Sequence, residues 1–172
     1  MVEIHLTRGY TAFVDDADAD LANLKWFAQP HGRTAYGLRH IPRSGGGRAI
    51  ERLHRAVWRR AHPGKPIPAQ LDHVDGNGLN CTRTNLRAAS REENGRNQRL
   101  IVTNRSGFKG VSWHQDRSKW HARIKFAGKR KHIGLFVNKY DAARAYDAAA
   151  REVFGAFARL NFPMSGENSA AL

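Results

Sequence analysis

The chain has 172 residues, and its 29 Lys and Arg against 15 Asp and Glu leave a net charge of +14. Such a length holds one modest domain or two small ones, and a charge this far beyond the needs of solubility implies a polyanionic partner. One cysteine, Cys81, excludes an internal disulfide and a cysteine-rich zinc knuckle within the chain, and no run of about 18 apolar residues is present to span a membrane.

Residues 1–58 read as short strands with one short helical piece. Glu3 to Leu6 and Tyr10 to Val14 flank a turn at Gly9, and Asp15 to Trp26 carries acidic starts with apolar Leu21, Leu24 and Trp26. Tyr36 to Ile41 and Ile50 to Trp58 follow as strands around a Ser44-Gly45-Gly46-Gly47 hairpin tip. Pro63, Pro66 and Pro68 make a stiff approach to Leu71. Leu71 to Val74 is then a short strand, Asp75-Gly76-Asn77-Gly78 a turn, and Thr84 to Gly95 a helix. Arg96 to Gly107 is polar and basic and reads as a linker. Beyond it Phe108 to His114, Lys119 to Phe126 and Lys131 to Phe136 are strands, and Lys139 to Phe154 is a helix with Asn138 as its N-cap. Ala142, Tyr146, Ala149 and Val153 recur at helical spacing on that last helix and form an apolar stripe.

The chemistry concentrates in residues 71–97, LDHVDGNGLNCTRTNLRAASREENGRN. Hydrolysis of a phosphodiester needs a base to prepare water and positive charge at the nonbridging and leaving oxygens. His73 has the side chain suited to a base near neutral pH, and Asp72 and Asn94 offer the oxygen donors a hard cation accepts. Asn85 either caps the following helix or tethers the loop that carries His73. His54 is a competing base, or a residue that holds the site or meets a phosphate beside Arg55. Arg87 and Arg96 are phosphate clamps or solvated arginines. A bare Asp-His pair is also a common polar turn, and NGLNCTRTN is compatible with turn chemistry alone; the basic surroundings favour the active-site reading.

This stretch resembles the HNH endonucleases, in particular the phage homing-type subgroup with an Asp-His, Asn, Asn arrangement, here DH, TNLR and EEN. LTRGYTAFVDD at residues 6–16 and LHRAVW at residues 53–58 resemble the lead-in of that family. The resemblance implies that His73 is the general base, that Asp72 and Asn94 bind one divalent metal, Mg2+ or alternatively Mn2+, and that Asn85 orients the histidine. Asn94 stands where the commonest HNH pattern has a histidine ligand, which implies looser metal affinity or a preference for a harder ion.

Residues 99–132 hold ten Lys or Arg against the single acid Asp116. Strand alternation sends Trp120, Ala122, Ile124 and Phe126 to one face of the middle strand and Lys119, His121, Arg123 and Lys125 to the other. The first set matches the apolar stripe of the helix, and the second leaves a basic sheet face for DNA. FKGVSWH, KWHARIKF, HIGLF, DAARAYDAAAREVFG and LNFP, within residues 107–163, resemble the AP2 DNA-binding domain. That resemblance implies a three-stranded sheet in the major groove with the helix behind, and DNA contacts at Lys109, His114, Lys125, Arg130 and His132. Ser112, His114 and His132 replace larger or more basic residues of the plant pattern, so its sequence specificity does not carry over. Trp113, Trp120, Tyr146 and Phe162 are expected in the core, with Asp147 as a local brace.

The expected protein is α+β: a small ββα-metal nuclease domain at residues 1–98, a basic linker at 99–106, an AP2-like three-stranded antiparallel sheet packed on one helix at 107–163, and a flexible tail at 164–172. It is expected to be a metal-dependent endonuclease of homing type that hydrolyses phosphodiester bonds in double-stranded DNA. Arg55, Arg87, Arg96, Arg105, Lys109, His114, Lys119, His121, Arg123, Lys125, Arg130 and His132 are its expected DNA contacts. A monomer on DNA and a cytoplasmic location, that of the bacterial host if phage-encoded, complete the expectation; MVEIHLTRGY has no signal-peptide pattern. The rival is a non-catalytic, sequence-specific DNA-binding regulator. An RNA-binding structural protein is less favoured, because the sheet lacks an exposed aromatic platform.

Overall fold

The computed structural model describes residues 1–96, with the side chain of Arg96 left aside, and 103–170. It divides into two compact units, Met1–Ser90 and Arg91–Leu172.

The first unit opens with an antiparallel pair, β1 (Val2–His5) and β2 (Thr11–Val14), followed by a 3-10 helix at Asp16–Asn23. Three antiparallel strands come next in the order β3 (Phe27–His31), β4 (Thr34–Pro42) and β5 (Arg48–Arg52). The chain then enters helix α1 (Leu53–Ala61), where Leu53, Ala56 and Val57 recur at helical spacing and are buried together. Sequence alternation alone reads Ile50 to Trp58 as one strand; the strand ends at Arg52, because the apolar residues that follow need a helical period to reach one core. His62, ahead of Pro63, leaves the helical conformation and closes α1. Leu53 is fully buried with Ile4, Val14, Leu21, Trp26 and Leu86, and burying one such leucine contributes about 2 kcal/mol.

Strands β6 (Gln70–His73) and β7 (Leu86–Ala89) pair antiparallel, with Asp72 opposite Arg87 and His73 opposite Leu86. The helix expected over Thr84 to Gly95 is therefore not what forms. Arg83–Asn85 is a single 3-10 turn, the next four residues are strand, and helix α2 covers only Arg91–Arg96 among the described residues. Backbone pairing with β6 overrides the local helical preference of this segment.

In the second unit β8 (Val111–His114), β9 (Lys119–Phe126) and β10 (Lys129–Phe136) form an antiparallel sheet with β9 in the middle. Helix α3 (Lys139–Phe154) covers one face, and the Tyr140 amide donates to Asn138 Oδ1 at its N-cap. Val111, Ala122, Ala142 and Ala143 form one part of the core, and Ile124, Tyr146, Ala150, Phe154 and Leu160 another. The small alanines of α3 let it sit close to the sheet, and Gly110, at φ +76°, leaves room for the Tyr146 ring, which a Cβ there would meet at 2.0 Å. A bulge between His132 and Gly134 turns the extra residue, Ile133, toward the core.

Two expected core aromatics lie at the rim. Trp113 is 47% exposed because β8 is an edge strand and α3 lies chiefly over β9 and β10; it packs edge-on against Trp120 instead. Phe162 is 37% exposed and sits against the rings of Phe108 and Tyr140. The tail expected to be flexible at 164–172 is tied down as far as it is described. β11 (Arg159–Leu160) and β12 (Asn168–Ser169) pair in parallel, Ala170 is buried, and Glu167 accepts from Arg151 at 2.7 Å. Residues 99–102 of the expected linker lie outside the described residues. Its end at 104–106 is a compact turn, in which the Ser106 amide donates to Asn104 Oδ1 and Ser106 is buried.

Candidate active site and nucleic-acid interface

Asp72 and His73 are adjacent on β6 and both are buried, at 4% and 6% exposure. Arg87 reaches across from β7, donating from Nε to Asp72 Oδ2 at 2.8 Å, with Nη2 at 2.7 Å. Sequence reasoning makes Arg87 a phosphate clamp or a solvated arginine on a helix. The structure sets it on a strand whose register pairs it with the carboxylate, a planar donor that fixes the orientation of Asp72.

His73 sits among rings. The centroids of Tyr36 and His54 lie 5.9 and 5.2 Å from that of His73, and those of Tyr36 and His54 lie 5.9 Å from each other. Cys81 Sγ stands 3.9 Å from His73 Nε2. Burial lowers the His73 pKa from its ordinary value, against the opposing pull of Asp75 and Asp72, so the imidazole is neutral near pH 7 and able to take a proton. Burial, with His73, Arg52 and Arg55 nearby, pushes His54 down to about 3. A ring this resistant to charging is a poor proton acceptor, and His54 packs edge-on against the His73 ring. Burial raises the pKa of the Cys81 thiol, which is therefore protonated and inert.

One consequence is acid lability. The folded-state pKa of His54 lies below its ordinary 6.5, so the stability of the neutral form is whole above that value and is lost as pH falls toward about 3. Moving from pH 7 to pH 5 is expected to cost about 2 kcal/mol through this ring. Thermal melts at the two pH values check it: His54→Gln, which cannot charge, should lose less on acidification, and an equal loss in both proteins refutes the assignment.

The loop between β6 and β7 is held by its own polar side chains. Asp75 Oδ1 accepts from the Asn77 amide at 2.7 Å and from Asn85 Nδ2 at 3.0 Å, and Asp75 Oδ2 accepts from Asn80 Nδ2 at 2.8 Å. Asn85 in turn accepts the Asp75 amide on Oδ1, donates to the Asn80 carbonyl, and receives the Val74 amide on its own carbonyl oxygen. Of its two expected roles the structure gives Asn85 the tether, since no helix begins there to be capped. The far end is anchored by Arg83, which donates to the fully buried Asp18 and, through its amide, to Asp15. Phe13 exchanges backbone hydrogen bonds with Leu79 and Cys81. A Cβ on Gly78 would lie 2.6 Å from both the Ala35 carbonyl oxygen and the Tyr36 ring, so glycine is what lets this loop close on β4. Tyr36 and Asp75 are the residues sequence reasoning missed. Asp75 was legible as part of a turn, but no spacing marks Tyr36, 37 positions before His73.

Arg55 is half-buried and donates to the Pro68 carbonyl at 3.4 Å, which ties α1 to the approach to β6. Asn94 is half-buried on α2, which groups with the second unit, and Arg96 ends that helix with its side chain outside the described residues. Among the described residues no three His, Cys, Asp or Glu side chains group to hold a metal ion. Asp72 nonetheless offers carboxylate oxygens, donors of the kind a hard cation takes, on β6 beside His73.

On the sheet of the second unit, the face away from α3 carries Ser112 and His114 from β8, Lys119, His121, Arg123 and Lys125 from β9, and Arg130 and His132 from β10. Lys119, Arg123, Lys125, Arg130 and His132 are exposed, His114 and His121 half-buried, and Arg123 donates to Ser112 Oγ at 3.1 Å. His121 Nε2 and His132 Nδ1 are 2.6 Å apart, and the His114 ring centroid is 5.7 Å from that of His121. Arg105 is exposed in the turn ahead of β8. Lys109 is half-buried, and burial with Arg159 nearby lowers its pKa to about 8.

The family model of the HNH endonuclease matches residues 51–96. Protein 3.8 of Escherichia phage T7 is 36% identical over 108 residues, 63% of this chain and 88% of that protein. An uncharacterized HNH endonuclease, L560, of Acanthamoeba polyphaga mimivirus is 32% identical over 110 residues, 63% of this chain and 56% of that protein. The carboxy-terminal region matches plant proteins, among them the dehydration-responsive element-binding protein 2A of Arabidopsis thaliana, 42% identical over 66 residues, 36% of this chain and 18% of that protein.

Proposed function

The chain belongs to the HNH endonuclease family, and from that premise we propose that it is a homing-type enzyme that cuts double-stranded DNA as a monomer, with the basic sheet of its second unit holding the duplex. The observation that carries the reading is the pair on β6: a buried, neutral imidazole next to a buried carboxylate whose orientation Arg87 fixes.

HNH nucleases generally use a divalent metal. Asp72 and Asn94, both within the matched segment, are the residues proposed to hold it, and their hard oxygen donors favour Mg2+ over softer ions. When bound, the ion supplies positive charge at the nonbridging oxygen and at the leaving 3′ oxygen. His73 takes a proton from the attacking water as its oxygen bonds to phosphorus and the bond from phosphorus to the 3′ oxygen breaks. The products are a 5′ phosphate and a 3′ hydroxyl, whose proton comes from solvent. Tyr36, His54 and Cys81 keep bulk water from the inner side of the imidazole, and Asn85 holds the loop that continues from it. Lys119, Arg123, Lys125, Arg130, His114 and His132 meet the duplex, and affinity falls steeply with salt because phosphate neutralisation dominates it.

The test is cleavage of supercoiled plasmid carrying sequence from the gene's own neighbourhood, with Mg2+, Mn2+ or a chelator. Metal-dependent nicking is expected. If the protein shifts duplex DNA but leaves the plasmid intact with both metals at low salt, the DNA-binding regulator is the correct reading.

A further inference from the structure

The open face of the second unit's sheet carries more imidazole than a DNA-binding surface of Lys and Arg requires. Three histidines, one from each strand, stand side by side across it: His114 on β8, His121 on β9 and His132 on β10. The register that runs from Lys129 sets His132 on this face, opposite Arg123, and the bulge at Ile133 then shifts the pairing by one residue, so that Gly134 lies opposite Ala122. Metal binding does not account for them, because no group of three such side chains among the described residues is placed to hold an ion.

The contact between His121 Nε2 and His132 Nδ1, at 2.6 Å, has the length of a hydrogen bond, so one of these two nitrogens carries the hydrogen and the other accepts it. Counting protons on the pair decides what it can do. Two neutral rings share two hydrogens over four nitrogens: one hydrogen lies between the rings, and only one of the two outward nitrogens is a donor. Adding a single proton keeps the inner hydrogen bond, strengthens it by charge, and makes both outward nitrogens, His121 Nδ1 and His132 Nε2, donors. A second proton places hydrogens on both facing nitrogens and breaks the contact. The pair is built to take up one proton.

The surrounding charge opposes that uptake until an anion arrives. On the open face the pair is flanked by His114 from β8, by Lys119, Arg123 and Lys125 from β9, and by Arg130 from β10. Lys129 and Lys131 alternate to the other side of β10, and Asp116 and Arg117 stand in the turn before β9. Burial, then Arg123, His132 and His114, lower the His121 pKa from its ordinary value. Phosphates laid on this face neutralise the cations and add negative charge, and the balance shifts toward the protonated pair.

We propose that the His121–His132 pair takes up one proton when duplex DNA binds this sheet, so that DNA affinity is linked to pH. The inference rests on the DNA-binding reading of the sheet and is independent of the cleavage chemistry. The sign follows from linkage. A group with a higher pKa in the complex than in the free protein makes affinity rise as pH falls through the interval between the two values, and leaves it flat above and below. One proton allows at most a tenfold change per pH unit, and an uptake near one at pH 7 corresponds to a tightening of roughly twenty- to thirtyfold between pH 8 and pH 6.

The measurement uses the full chain with His73→Ala and no divalent metal, so that nothing is cut, and a 30-base-pair duplex at fixed low salt. Isothermal titration at pH 7 in phosphate and in Tris, whose ionisation heats differ, reads the protons taken up directly. About one is expected for the parent protein and close to none for His121→Gln or His132→Gln. Lys119→Gln should weaken binding at every pH and keep most of the uptake, because Arg123, Lys125 and Arg130 still oppose protonation of the free pair. Equal heats in the two buffers for the parent protein overturn the proposal. Absence of duplex binding at any pH overturns the DNA reading beneath it as well, an outcome that failure of plasmid cleavage alone does not produce.

Discussion

His73→Ala is expected to slow metal-dependent DNA cleavage by about 10²- to 10⁴-fold, the range a positioned general base contributes, while duplex affinity stays within about twofold. The division follows from where the ring stands. His73 is buried on β6 with its neighbours Tyr36, His54 and Cys81, whereas the proposed DNA-holding cations are on the sheet of the other unit. His73→Gln keeps most of the volume and removes the base, and should be as inactive as the alanine protein. That comparison separates chemistry from packing, because a cavity beside Tyr36 is created only by alanine. Single-turnover cleavage in Mn2+ and fluorescence anisotropy on the same duplex read the two quantities. A glutamine variant that keeps more than a tenth of the parent rate removes His73 from the reaction and leaves Asp72 without a base beside it.

The second large effect is on stability. Asp147 is 1% exposed on α3, and its carboxylate accepts the Asn161 and Phe162 amides at 2.8 Å each and Asn161 Nδ2 at 3.0 Å. Asn161 passes the connection on, accepting the Lys109 amide at 2.7 Å and donating to its carbonyl at 3.1 Å. One buried carboxylate thus joins the helix, the strap that follows it and the lead-in to β8. Asp147→Ala removes the acceptor of two part-buried amides and of Asn161 Nδ2 and is expected to cost about 3 kcal/mol, which for a unit of this size lowers its melting temperature by roughly 15 °C. Asp147→Asn retains a single acceptor oxygen and should fall between the two. Hydrogen exchange of the α3 amides in the full chain reads the loss in this unit specifically. A shift below about 3 °C, corresponding to under 1 kcal/mol, shows that the brace is dispensable.

The second unit was the more legible in the sequence. Strand alternation on β9 sorted its two faces, and the bounds of α3 and its Asn138 cap follow from local signals that tertiary contacts do not oppose. Trp113 shows the limit of alternation: it shares a face with Val111, but a period says nothing about how far the covering helix extends over an edge strand. The first unit was harder because its signals conflict. LHRAVW satisfies a strand and a helix alike, and TNLRAASREEN has helix-forming residues that β6 recruits into a strand. Missing β7 hid a second fact, since only the register that sets Arg87 opposite Asp72 identifies the partner of the carboxylate. Tyr36 was invisible for a different reason. Its contact with His73 is created by a loop closing on a sheet, and neither end of that contact carries a periodic pattern.

The loop between β6 and β7 is gripped from outside the segment that defines the family. Phe13, Asp15, Asp18 and Tyr36 all precede residue 51, and each touches the loop or the histidine ahead of it. For anyone transplanting this nuclease onto another DNA-binding protein, the portable cassette is therefore the whole of residues 1–90 and its continuation into α2. A fusion trimmed to the recognisable motif would carry Asp72 and His73 and lack the contacts that hold the loop beside them.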